Sequence, residues 1–176
     1  MAWAIFPGRQ KYENCGVQSA QQIIYLATGK KLDETALLQD AIKKGNANPG
    51  PNPPDLKLAG GTQADQRQRI LKDHGVASSI QPTTRANLEQ AIKDGKGVIV
   101  NVDAGVLYNA ARHLGKGHTV TVTGGTFDDN GHLTTVNLND TGSGIQRTVS
   151  ADAFIKAADA KKGGSDMNVT DHKIWP

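Results

Sequence analysis

The spacing of apolar residues changes character about halfway along this chain, and the change limits the folds open to it. Up to residue 94, most apolar residues recur every three or four positions, which is the period of amphipathic helices. From residue 98 onwards the pattern is typical of strands: 98–102 is a nearly continuous apolar run, and 119–123 alternates Val with Thr. We therefore expect an α+β fold, in which an N-terminal helical half packs against one side of a C-terminal antiparallel sheet.

Capping residues place the ends of the individual elements. Cys15 begins the first predicted helix, and Gly29 ends it in the left-handed conformation that glycine adopts easily. Further helices are predicted over about 33–44, 62–75 and 84–94, and Ser150 is expected to cap a last one. Strands are predicted over 76–81, 98–102, 119–123, from Leu133 onwards and over 145–149, with a hairpin turn at 128–131.

A chain of 176 residues fits one domain, so residues 1–176 are predicted to fold as a unit. Residues 45–61 contain four prolines among several Gly and Asn residues, a composition that excludes a helix or a central strand. We expect a flexible surface loop there, either a plain connector or a rim that touches a substrate. Residues 163–176 have no clear period and are expected to form a tail.

The charge and the aromatic content argue against a nucleic-acid partner. Lys and Arg total 20 against 17 Asp and Glu, and three Phe, three Tyr and two Trp offer no stacking surface. No apolar run approaches the roughly 20 residues of a membrane helix, so no membrane partner is expected. Residues 1–7 lack the charged start and the longer apolar run of a signal peptide. The chain is therefore expected to be made in the cytosol, or to be a piece of a larger protein that is exported by another route.

Cys15 is the only cysteine in the sequence, which excludes an internal disulfide. On composition alone, a buried and inert residue is the commonest role of a free cysteine. Its position at a predicted helix start favours a second role, because the free amides and the helix dipole at that point stabilise a thiolate. A thiolate needs only a positioned base and an oxyanion site to act as a nucleophile.

Among the five histidines, His118 is the best candidate for that base. It lies two and four residues before Val120 and Val122, so on a strand all three side chains point to the same face. His118 therefore faces the core if those valines do. A hairpin with a three-residue loop at 128–130 would place His118 directly opposite Asp140, and a register slip of two residues would leave them diagonal neighbours. A carboxylate there would orient the imidazole and stabilise its charged form. The alternative is a His–Asp pair that only closes the end of a sheet.

No cofactor and no metal ion are expected. The sequence has no P-loop motif and no His-Glu-x-x-His helix, and a single cysteine cannot form a zinc knuckle. The predicted chemistry therefore depends on groups of the protein itself.

Three short motifs, in this order, resemble those of the papain-like fold and more narrowly those of the C39-like peptidases. They are Asn14-Cys15-Gly16 before an apolar helix, Gly117-His118-Thr-Val-Thr-Val-Thr-Gly124, and Leu138-Asn-Asp140. The resemblance covers about residues 10–155. It implies that Cys15 is the nucleophile, that His118 acts as general base and then as general acid, and that Asp140 orients the histidine.

The family usually places an oxyanion-hole glutamine six residues before the cysteine, whereas Gln10 lies five residues before Cys15 here. The resemblance implies an oxyanion role for Gln10 on the assumption that this loop is one residue shorter, and Gln10 has another task otherwise. The backbone amide of Cys15 would be the second donor.

A lone domain of this kind also resembles the toxin domains at the C-terminal ends of secreted bacterial effectors, including type VI and Rhs-type carriers. This resemblance implies a cysteine endopeptidase that enters the cytoplasm of a neighbouring bacterium and cleaves an essential protein there. Type II DNA topoisomerase subunits belong among the targets to test. The expected partners are the protein substrate, a cognate immunity protein in the producer and a larger carrier. Two alternatives remain: a transglutaminase-like or deamidase-like acyl transfer on the same thiol, and an inert binding module.

Overall fold

A six-stranded antiparallel sheet forms the centre of the computed structural model, which describes residues 8–176. The strands are β1 (Ser78–Pro82), β2 (Lys96–Asp103), β3 (Gly117–Phe127), β4 (Leu133–Asp140), β5 (Ile145–Ser150) and β6 (Asp166–Lys173), in the order β1-β6-β2-β3-β4-β5. The helices are α1 (Cys15–Thr28), α2 (Glu34–Lys43), α3 (Ala64–Asp73), α4 (Arg85–Lys93), α5 (Ala104–Leu107) and α6 (Ala151–Asp159). The expected α+β class is confirmed, with N-terminal helices packed on an antiparallel sheet.

The sheet carries helices on both faces, whereas the sequence predicts a layer on one side only. Ile99 of β2 packs with α1, α2 and α3, while the flanking Val98 and Val100 pack with α4 and α6 on the opposite face. The nearly continuous apolar run of β2 serves both cores, because successive side chains of a strand point to opposite faces. The second layer is formed by α4, α5 and α6.

The prediction of a tail over 163–176 was wrong for most of that segment, because β6 lies in the interior of the sheet. It pairs with β1 on one side and with β2 on the other. Met167 and Val169 enter the apolar core, but Asn168 and Thr170, on the other face, are polar and equally buried. The apolar alternation is therefore visible at two positions only, which is too short a pattern to predict a strand.

The helix ends follow the capping residues with one exception. Gly29 ends α1 with a φ of 74°, Asp33 accepts a hydrogen bond from Ala36 N, and Ser150 accepts one from Ala153 N. Thr62 does not cap α3, which begins at Ala64. Its side chain is instead directed towards α1, because Gly16 leaves room for it there.

None of the helices within residues 8–176 is both long and apolar enough to cross a bilayer. Residues 1–7, on which the prediction of no signal peptide depends, lie outside the described residues.

Candidate active site

Cys15 is the first residue of α1 and is partly exposed. The helix lies across β3, where Ser19 Oγ donates a hydrogen bond to Thr119 O at 3.5 Å. The first turn of α1 leaves the backbone N–H groups at Cys15 without intrahelical acceptors. The side chain thus stands at the positive end of the helix dipole and beside the strand that carries His118.

The segment before Cys15 is held in place by one buried carboxylate. Glu34, at the start of α2, accepts hydrogen bonds from Lys11 N at 2.8 Å and from Asn14 Nδ2 at 3.2 Å. Asn14 is fully buried, and a Cβ on Gly60 would lie 2.5 Å from its Cβ. The end of the 45–61 loop therefore packs against the residue before Cys15, and whether the loop touches a substrate stays a prediction.

The second feature of the site is the pair formed by His118 and Asp140. His118 Nε2 lies 2.7 Å from Asp140 Oδ1, and the two side chains are 14% and 6% exposed. Thr121 pairs with Asn139, so the register differs by two residues from the one that would place His118 opposite Asp140. The two side chains are therefore diagonal neighbours, the second of the two arrangements expected from the sequence. The difference in register comes from the position of the hairpin turn. Asp128 N donates a hydrogen bond to His132 O and Gly131 has a φ of 79°, so the turn consists of residues 129–131 instead of 128–130.

Asp140 is held by donors on every side. Oδ1 also accepts a hydrogen bond from Gly142 N at 3.0 Å, and Oδ2 accepts from Ser143 Oγ at 2.7 Å and from Arg147 Nε at 3.2 Å. Burial alone would raise the pKa of Asp140, but hydrogen bonds from His118 and Ser143 hold it well below its usual range. These donors therefore favour the ionised carboxylate and orient it towards His118.

The charges of Cys15 and His118 favour an ion pair. Burial disfavours an imidazolium, but the hydrogen bond to Asp140 and the contact with Cys15 outweigh it and raise the pKa of His118 to about 9. Burial likewise raises the pKa of the Cys15 thiol, yet hydrogen bonding and charge from His118, with hydrogen bonds to Thr119, leave it below its ordinary value. Because Nε2 of His118 is engaged by Asp140, Nδ1 is the ring nitrogen left for the thiol.

Gln10 lies beside the end of β4. Its backbone N–H donates to Thr141 O at 2.8 Å, and its side-chain Oε1 accepts from Thr141 Oγ1 at 2.6 Å. Its Nε2 donates to Tyr12 O at 2.7 Å, which leaves one N–H of the amide for another acceptor. The structure brings Gln10 next to the residue that follows Asp140, and its oxyanion role stays a prediction.

Two residues that hold Asp140 do not emerge from the sequence reasoning. Ser143 lies in the stretch Thr141-Gly-Ser-Gly144, which reads only as a turn. Arg147 lies on β5, and its guanidinium also stacks over the ring of Tyr108, with Cζ 5.0 Å from the centroid. Ser143 follows Asp140 by three residues, a spacing at which serine and aspartate side chains often form local hydrogen bonds. This spacing is the sequence signal that could have identified Ser143.

Residues 8–176 contain no group of three or more His, Cys, Asp or Glu side chains that could hold a metal ion. The polar groups that converge on the site are those of Cys15, His118 and Asp140 with their immediate hydrogen-bond partners.

Two solved structures share this architecture. A protein from Bacillus anthracis described as a C39-like peptidase superposes with a TM-score of 0.64 at 14% identity, covering 98% of both chains. A double glycine motif protease from an AMS/PCAT transporter, in complex with the leader peptide, gives a TM-score of 0.57 at 13% identity, covering 92% of this chain and 88% of that one. The chain has the papain-like fold of the C39-like peptidases, and at these identities the likeness concerns the fold alone.

No protein-family model matches the sequence, and no curated protein matches it either.

Proposed function

We propose that this protein is a cysteine peptidase whose nucleophile is Cys15. The observation that carries the proposal is the position of His118, which interacts with Cys15 and is hydrogen-bonded to Asp140 at 2.7 Å. A cysteine at a helix start, partly exposed as a residue and beside an oriented imidazole, has the features of an activated nucleophile.

In the proposed reaction, the Cys15 thiolate attacks the carbonyl carbon of a peptide bond. The oxyanion that forms accepts hydrogen bonds from the backbone N–H of Cys15 and from the remaining side-chain N–H of Gln10. The His118 imidazolium then gives its proton to the leaving amine, and a thioester on Cys15 remains. A water molecule, deprotonated by the now neutral His118, hydrolyses the thioester and regenerates the thiolate. Asp140 keeps the ring orientation and stabilises its charged form throughout.

The proposal is tested by a search for new protein termini. The purified chain is incubated with a bacterial cell extract and with a peptide library, and the products are sequenced by mass spectrometry. Cleavage by the parent that is lost in Cys15→Ala and in His118→Ala, and kept in His172→Ala, supports the peptidase. His172 is the matched control because it is an exposed histidine on β6.

The same experiment separates the alternative chemistry. An acyl transfer or a deamidation would leave the substrate chain intact and would change a side-chain mass instead. Modified but uncleaved substrate, dependent on Cys15, would contradict the peptidase and support the acyl-transfer enzyme. Identical extracts with the parent and with Cys15→Ala would contradict both.

We propose further that the peptidase acts as a delivered antibacterial toxin in the cytoplasm of a target bacterium. The support for this role is the resemblance to effector toxin domains given above, which also implies an immunity protein, a larger carrier and an essential protein as substrate. Expression in a bacterial cytoplasm is expected to stop growth with the parent and not with Cys15→Ala. Comparison of protein termini in the two cultures, with type II topoisomerase subunits inspected first, would identify the substrate. Normal growth with the folded parent would contradict the toxin role and leave the peptidase to be judged by the extract experiment.

A further inference from the structure

Arg67 is a buried cation on the helix that packs under the start of α1. Its side chain is 1% exposed, and it lies on the same face of α3 as the buried Ile70 and Leu71. A guanidinium stays charged under physiological conditions, and burying a charge is costly unless partners compensate for it.

The hydrogen-bond acceptors of Arg67 are all neutral. Nε donates to Asn168 Oδ1 at 2.8 Å, while the two other nitrogens make longer contacts of 3.3 to 3.5 Å with Thr62 and with the backbone carbonyl of Asp166. Within residues 8–176, the ion pairs at 4.0 Å or less involve other basic residues and leave Arg67 without a carboxylate partner. The positive charge is therefore held in place but not neutralised by a salt bridge.

The start of α1 packs directly on this side chain. Gly16 follows Cys15, and a Cβ placed on Gly16 would lie 3.4 Å from Arg67 Cδ and would overlap Thr62 Oγ1. Burial lowers the pKa of Arg67 to about 10, and the strongest opposing influence is the charge of Cys15, ahead of Asp65 and Asp166. The packing of Gly16 on the Arg67 stem places the buried side chain beside the turn of α1 that carries Cys15, and the influence on its pKa agrees with that position.

We propose that Arg67 is a positioning residue of the site, whose buried charge stabilises the thiolate of Cys15 from beneath while its stem supports the first turn of α1. The inference rests on the proposed peptidase function. Its consequence is that the thiolate has two cationic neighbours. The charge of His118 is lost when it gives up its proton, whereas the charge of Arg67 is permanent. The free thiolate therefore keeps a cationic neighbour above the pH at which His118 loses its proton.

Other charged groups also face the start of α1 and must stay unchanged in the test. Those at the start of α1 are His118 on β3 and Glu34 at the start of α2. Lys161 lies beside β3, where its Cε would be 3.2 Å from a Cβ on Gly117, and Asp65 and Asp166 act on Arg67 itself. Arg69 provides the matched control, because it is on the same helix but is exposed and paired with Asp65 at 2.9 Å. Arg67→Met and Arg69→Met therefore remove the same charge from the same helix at a buried and at a solvated position.

The first measurement is the pH dependence of Cys15 alkylation by iodoacetamide, followed by intact mass. Arg67→Met is expected to raise the pKa of Cys15 by about one unit or more, so that alkylation well below that pKa slows about 10-fold, because a nearby cation no longer stabilises the thiolate. Arg69→Met is expected to leave it unchanged, and Arg67→Lys to give an intermediate value. Equal thiol pKa values in the Arg67→Met and Arg69→Met proteins would overturn the inference.

A second measurement uses the parent chain and does not depend on the folding of a buried-charge variant. The guanidinium ¹⁵N signals of Arg67 are followed by NMR while Cys15 is titrated. They are expected to move with the midpoint of the thiol titration, to stay constant in Cys15→Ala, and to move far more than those of Arg69. Arg67 signals that do not respond to the ionisation of Cys15 would overturn the inference.

The two proposals fail in different ways. If the parent cleaves proteins through Cys15 while Arg67→Met leaves the thiol pKa unchanged, the inference on Arg67 is wrong and the peptidase stands. If Arg67 controls the thiol but the extract experiment shows no cleavage, the peptidase is wrong and the electrostatic role of Arg67 stands.

Discussion

His118 Nε2 and Asp140 Oδ1 are 2.7 Å apart although the two residues are not opposite each other in the sheet. β3 and β4 pair Thr121 with Asn139, so the two side chains meet along a diagonal. This arrangement occupies Nε2 of the ring and leaves Nδ1 for Cys15. The side-chain geometry of the proposed site therefore depends on this diagonal contact.

Replacing Asp140 by Asn should narrow the pH range of activity from the alkaline side. The hydrogen bond to Asp140, together with the contact with Cys15, raises the pKa of His118 to about 9, so activity that requires the imidazolium is present below that pH and is lost as the pH rises through it. Without the charge, the alkaline limb of the kcat/KM profile should move towards the ordinary histidine value of about 6.5. We also expect kcat/KM near neutral pH to fall on the order of 10²-fold.

The matched control for that profile is Asp129→Asn, since Asp129 is an exposed carboxylate in the hairpin turn. An alkaline limb that stays near its parental position in Asp140→Asn would contradict the assigned role of Asp140.

Gly16→Ala should destabilise the fold because its Cβ would overlap Thr62 Oγ1. We expect a loss of about 1–3 kcal/mol in the free energy of unfolding, the usual cost of overpacking, measured by chemical denaturation. In a Thr62→Gly background the added methyl group has room, so the same change should cost less. Gly61→Ala is the control, because its Cβ would meet only Asn48 Cβ at an ordinary 3.7 Å. Additive effects of the Gly16 and Thr62 changes would argue against this contact.

Met167→Ala tests the position of β6 in the sheet. Met167 is fully buried in the core shared with α4 and α6, so its truncation should cost about 2–5 kcal/mol of unfolding free energy. Asp171→Ala, at an exposed position of the same strand, should change the stability by about 0.5 kcal/mol or less. Similar small effects of both substitutions would indicate that the segment does not form an interior strand.

The segments that can be predicted from the sequence are those whose cues are local. Gly29, Asp33 and Ser150 act through their own backbone neighbours, and the alternation around Val120 and Val122 is visible without tertiary knowledge. Such cues predict the α+β class, most helix ends and the face of the sheet to which the His118 side chain points.

β6 cannot be predicted from the sequence, because the hydrogen-bond partners of its buried polar side chains are distant in the chain. Asn168 accepts from Arg67 and donates to Ala64 O at 2.9 Å, while Thr170 Oγ1 accepts from Gly97 N at 2.8 Å. These bonds join residues about a hundred and about seventy positions apart, respectively, so no local pattern reveals that the polar face of the strand is buried.

Arg67 illustrates the same limit within the site. Its spacing from Ile70 and Leu71 already places it on an apolar helix face, but an arginine there commonly extends its head group to water. Only the packing of α1 and β6 over α3 encloses the guanidinium and brings it to the start of α1. The register of the β3–β4 hairpin is a further case, since the choice between turn residues 128–130 and 129–131 depends on which backbone groups close the turn.

The most direct test of the central claim is the rate at which iodoacetamide alkylates Cys15 in the folded protein at about pH 6, where an ordinary thiol is almost fully protonated. We predict rapid, single-site labelling of the parent and a rate at least about 10-fold lower in His118→Ala, because the imidazolium that stabilises the thiolate is removed. Slow labelling of the parent, or equal rates in the two proteins, would contradict the assignment of Cys15 and His118 as an activated nucleophile and its base.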